Sequence, residues 1–111
     1  MLTLLIVARA ADLTASLRFV LEADNYDVMA ANSLAEASEI DRRFDCTVLD
    51  HHVLKDEERS VAFMRSHRPV VLLVNDLGHP LVNWSFRALT KPLLGAALSL
   101  AVRDAVASRL H

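Results

Sequence analysis

Runs of consecutive apolar residues alternate along this chain with segments whose apolar positions recur at helical spacing. "LLIVA" (4–8), "DVMAA" (27–31), "CTVLD" (46–50), "VVLLVN" (70–75) and "FRALT" (86–90) predict five strands. Several are apolar at nearly every position, as in parallel strands covered on both faces. Between the first two, Asp12 is the expected helix N-cap, and Leu13, Leu17, Val20 and Leu21 form one apolar stripe. "SLAE" (33–36) has the form of a capping box and opens a helix expected to reach about Phe44. "DEERSVAFMRSH" (56–67) predicts a third helix, with acids in its first turn and bases in its last, as the helix dipole favours. A final helix is expected from near Leu93 to about Ser108. The segment "NDLGHPLVNWS" (75–85) contains Gly78 and Pro80 and leaves room for at most a short helix. The pattern is that of βαβ units building a parallel sheet.

Composition narrows the class. At 111 residues, with 53% hydrophobic and 23% charged residues, the whole chain (1–111) forms one domain. Net charge is −2, with Lys and Arg scattered along the sequence, so no nucleic-acid footprint appears. The lone Cys46 lies in an apolar run and predicts a buried thiol and a reducing, cytoplasmic setting. "MLTLLIVARA" lacks a basic leading region, and its apolar run is too short to span a bilayer. It reads as a first core strand, and no membrane association is expected.

In an open parallel sheet, ligands bind beyond the carboxyl ends of the strands. The residues there are Ala8, Arg9 and Ala10; Asp50, His51 and His52; Val74 and Asn75; and Thr90, Lys91 and Pro92. Asp50 is the single carboxylate of the set, and Lys91 the natural cation to meet it. On "TLLIVARAADL", "VLDHHV" and "LTKPL", in that order, the chain resembles response-regulator receiver domains of two-component signalling over essentially its whole length. The resemblance implies a flavodoxin-like (βα)5 fold with strand order 2-1-3-4-5, here with a shortened or irregular fourth helix. It makes Asp50 the phosphoacceptor equivalent and Lys91 the residue pairing with the phosphoryl group. It also implies a histidine kinase or phosphotransfer protein as a partner.

The departures from the family pattern carry as much meaning. Ala8 and Arg9 stand where an acidic pair would hold Mg²⁺. Val74 replaces the Thr or Ser that bonds a phosphoryl oxygen, and Ala88 replaces the switch aromatic. Leu54 and Lys55 replace the usual Pro-Gly. Mg²⁺ takes octahedral oxygen ligands, including carboxylates, and neutralises charge during phosphoryl transfer. One carboxylate beside a cation makes a poor site for it, and Arg9 is expected to pair with Asp50 in the metal's place. The resulting expectation is an atypical receiver that signals through protein contacts, without catalytic turnover, metal or cofactor. Its alternative is a working phosphoacceptor that uses Asp50, Lys91 and Mg²⁺. A small flavodoxin-like ligand-binding domain is a third reading, although no Gly-rich phosphate loop follows the first strand.

His51, His52 and His79 read as polar loop residues, because adjacent side chains tend to diverge and a metal needs three or four convergent ligands. Phe19 falls on the face of the first helix opposite its apolar stripe, a candidate contact residue. In the last helix, Leu98, Val102, Ala105 and Val106 predict the core-facing stripe. Leu100, Ala97 and Ala101 extend apolar character around it, which predicts docking of a protein partner or a homodimer through that region. Phe86 is expected to pack inward, with Trp84 closing over the shortened segment.

Overall fold

In the computed structural model, which describes residues 1–109, the apolar runs become five strands. They are β1 (Thr3–Val7), β2 (Asp27–Ala31), β3 (Cys46–Asp50), β4 (Val70–Val74) and β5 (Arg87–Thr90). All pair in parallel in one sheet of order β2-β1-β3-β4-β5. Four helices cover it: α1 (Ala11–Ala23), α2 (Leu34–Ser38), α3 (Glu57–Ser66) and α4 (Gly95–Arg109). Alternation along the strands divides the core in two. Leu4, Ile6, Val48 and Val71 pack with Leu17, Leu21, Leu98 and Val102 of α1 and α4. Leu5, Val7, Leu49 and Leu72 pack with Ala37, Phe63 and Met64 of α2 and α3.

Local physics accounts for where elements depart from expectation. Helix α1 begins at Ala11, with Ala10 as an N-cap that makes no side-chain bond; Asp12 lies in the first turn instead. Helix α2 stops at Ser38 rather than near Phe44. The Ser33 hydroxyl accepts from the Glu36 amide at 3.0 Å, and Glu36 accepts from the Asn32 amide at 3.3 Å. The helix cannot run on, because Asp45 is already tied to β1. Its amide donates to the Thr3 carbonyl at 2.8 Å, and its carboxylate accepts from the Thr3 amide at 2.8 Å. Phe44, inserted in the half of the core under α2 and α3, must therefore arrive outside the helix.

Between β4 and β5 a 3-10 turn over Val82–Trp84 replaces a helix. The Asp76 carboxylate accepts from the Gly78 amide, and His79 Nδ1 accepts from the Leu81 amide. Such local bonds compete with helix formation, and buried Leu81 pins the segment. Phe86 is 40% exposed and lies outside the core, contrary to expectation. In α4 the stripe Leu98, Val102, Ala105 and Val106 is buried as expected. Ala101 is fully buried with it, so it belongs to the core and not to an outer face.

Candidate functional site

Strand β3 carries Asp50 to the carboxyl edge of the sheet, where it is 3% exposed. Burying an ionised carboxylate is costly unless it is paired, and two residues pair it. Lys91, directly after β5, places Nζ 2.5 Å from Oδ1, an ion pair at angles poor for a directed hydrogen bond. His52, in the 3-10 turn after β3, faces Oδ2 with Nδ1 at 3.0 Å and donates its amide to the same oxygen at 3.3 Å. Lys91 Nζ and His52 Nδ1 are 3.5 Å apart, so the two donors close over the carboxylate together. Burial pushes the Asp50 carboxyl up, but Lys91 and His52 outweigh it and hold the group below its usual range.

Arg9 does not do what its position suggested. It is exposed and, among the described residues, makes no ion pair. It lines a groove of about 460 Å³ between α2 and α3, beside Lys55, Asp56 and Arg59. The residue before it, Ala8, is buried, with its amide donating to the Ala31 carbonyl. The cation that pairs with Asp50 is instead Lys91, which reaches it from the end of β5. Val74 is fully buried at the end of β4 and pairs in register with exposed Thr90. Half-buried Ala88 packs on the half of the core under α2 and α3, and the Lys91–Pro92 peptide bond is cis, with Pro92 exposed.

The histidines converge rather than diverge. The His51 and His52 rings lie 4.1 Å apart, and His79 meets His51 edge-on at 5.6 Å. A shared 3-10 turn holds the first two, and the turn before β5 brings the third, a tertiary meeting that spacing could not reveal. Burial and the neighbouring imidazole push the His51 pKa down, favouring the neutral ring. Asp50, His51 and His52 each offer a ligand atom within 4.8 Å of the others. This nitrogen-rich set suits borderline transition metals better than Mg²⁺, and either ion would have to displace Lys91 from Oδ1. These donors make a poor magnesium site: Asp50 is the one carboxylate among them, and both its oxygens are engaged.

No protein-family model matches the chain, and no curated protein matches it in sequence. Solved structures do match. The signal receiver domain of an HD domain-containing protein from Pseudomonas fluorescens aligns with a TM-score of 0.84 at 21% identity, covering 98% of this chain and 89% of that one. A response-regulator receiver domain from Clostridium thermocellum aligns at 0.78 and 19% identity, over 99% and 98% of the two chains. The receiver domain of a sensor histidine kinase from Pseudomonas aeruginosa, solved with a magnesium ion in its active-site cleft, aligns at 0.80 and 16% identity, over 96% and 98%. This chain therefore has the fold of a response-regulator receiver domain.

Proposed function

We propose that the protein is an atypical receiver module that acts in signal transduction through protein contacts, without Mg²⁺-dependent phosphorylation and without catalytic turnover. The observation that carries this reading is the closure of Asp50 by Lys91 on one oxygen and His52 on the other, with Ala8 and Arg9 where acidic ligands would be needed. Phosphoryl transfer to a carboxylate brings two anions together. Here the neutralising charge is a lysine already committed to the acceptor. The partner is a second protein or a second copy of the chain, meeting the exposed side chains Leu100, Ala97 and Phe19. Among the described residues no helix is long and apolar enough to cross a membrane, and the lone buried thiol fits a reducing cytoplasm.

The Asp50–Lys91 pair itself supports a second reading, a phosphoacceptor served by a histidine kinase or phosphotransfer protein, because a lysine is so placed to meet an incoming phosphoryl group. Beryllofluoride with Mg²⁺ separates the two. Amide spectra of the protein are expected to stay unchanged around Asp50 and Lys91, and acetyl phosphate is expected to add no mass. A stable adduct at Asp50 would overturn the first reading in favour of the second.

A further inference from the structure

At the opposite edge of the sheet, before the strands begin, basic residues scattered in sequence come together. Arg42, Arg43, Arg68 and Arg109 line a pocket of about 160 Å³ with Thr47 and Ser66. Its walls Arg68 and Arg109 are shared with a wider groove of about 690 Å³, which Arg65, Trp84 and Phe86 also line. Five of the chain's twelve Lys and Arg residues thus face one end of a protein whose net charge is −2.

Ordinary structural duties do not use up these charges. Arg42 pairs with Asp27 and Arg109 with Asp45, which leaves Arg43, Arg65 and Arg68 unpaired among the described residues. Helix α3 ends here, and its carbonyl end offsets about half a charge. Yet among the described residues no arginine caps it. The Ser66 hydroxyl donates to the Phe63 carbonyl, and the His67 amide donates to the same oxygen. Among the described residues more than two positive charges therefore remain without a partner. A second observation points to a ligand: Thr47, fully buried on β3, is one of the residues lining the small pocket, and its buried hydroxyl has no hydrogen-bond partner among the described residues. Such a group is normally satisfied.

We propose that this edge is a nucleotide site, in which the arginine pocket takes the phosphate and the Trp84 groove takes the base. Guanidinium forks match phosphate oxygens bidentately, and a phosphate seated there would offer the acceptor that the Thr47 hydroxyl lacks. Trp84 is 43% exposed, with the Arg65 guanidinium 5.9 Å from its ring centroid. Exposed aromatic faces stack bases, and a neighbouring guanidinium adds to that attraction. The groove's volume falls in the range of small-molecule sites.

Trp84 is the chain's single tryptophan, so its emission reports the groove directly. Titrating the full chain with AMP or GMP is expected to quench that emission saturably. Adenosine should bind far more weakly, while inorganic phosphate should shift the amides around Thr47 and Arg68, compete with AMP and leave the emission nearly unchanged. Arg43→Gln and Arg68→Ala should each weaken AMP binding by about tenfold, the loss of one charge-assisted contact. Both side chains are exposed, so the thermal melt should not move. Thr47→Val should weaken phosphate and AMP together. The proposal is overturned by unsaturable quenching up to millimolar nucleotide, by equal affinity in the Arg43→Gln/Arg68→Ala double variant, or by binding of a single-stranded oligonucleotide without any of AMP.

Discussion

Lys91 decides the state of Asp50, because a carboxylate this deeply buried would otherwise be driven toward its neutral form. The lysine side chain is 23% exposed and the aspartate 3%, so solvent screens the pair only partly. Removing the ammonium in Lys91→Met leaves burial opposed by His52 alone. The Asp50 carboxyl should then move upward, which carbon-detected NMR titration reads directly. The sign of the stability effect follows from linkage. Folding lowers the Asp50 carboxyl below its ordinary 3.8, so the pair's stabilisation is complete above that value and fades as pH falls through the folded one. At neutral pH the variant should lose about 1–3 kcal/mol, less than a fully buried broken pair because His52 remains. At about pH 3 the gap to the wild type should narrow. Equal stability at neutral pH, measured by urea unfolding, would show that Lys91 does not hold the carboxylate. Asp50 and Lys91 were both legible as a pair in the sequence. His52 as the second donor was not, since which way adjacent histidines turn depends on the 3-10 turn that carries them. Arg9 misled for a related reason: position at a strand end fixes the backbone, not where a long side chain finds its partners.

The elements show the same division between local and tertiary causes. Strands β1 and β4 were readable because strands covered on both faces are apolar at nearly every position, a signal that needs no partner to interpret. Strands β2, β3 and β5, by contrast, carry polar residues within shorter apolar runs. Helix α3 was readable because Asp56 caps it and acids and bases sit at its proper ends. The end of α2 was hidden because Asp45, seven residues past Ser38, binds Thr3 across the sheet and draws the intervening chain out of helix. The start of α1 was misplaced because Asp12 looks like a cap, whereas the chain uses Ala10, which has no side-chain acceptor. That leaves an unmet cap to be filled. Ala10 is exposed with extended backbone angles, the conformation a serine cap adopts. Ala10→Ser should therefore stabilise the protein by about 1 kcal/mol, seen as a melting temperature higher by a few degrees. An unchanged or lower value would mean that the first-turn amides are already satisfied by water.

Across the whole molecule, the two edges of the sheet have opposite character. The carboxyl edge holds one buried anion closed in by Lys91 and His52. The other edge carries an arginine-lined pocket in which Arg43 and Arg68 make no ion pair among the described residues. On the function proposed above, output would come through surfaces that do not depend on phosphate. The outer side of α4 is the strongest candidate, with Ala96, Ala97, Leu100 and Ala107 exposed and Leu100 retaining 45% of its surface. Two further large side chains, Phe19 at 78% and Leu94 at 73%, are left uncovered on α1 and just before α4. Soluble monomers limit contiguous apolar surface, and a two-fold pairing would bury the same patch on both copies. In such an isologous contact one substitution acts twice, so a single charge is a sensitive probe. Sedimentation of the wild type should show a dimer that dissociates on dilution. Leu100→Glu should remain monomeric with the same helical signal and melting profile, since its side chain supports no part of the core. A monomer in both proteins at high concentration would remove self-pairing and leave α4 to a different protein, whereas a dimer in both would move the interface away from Leu100.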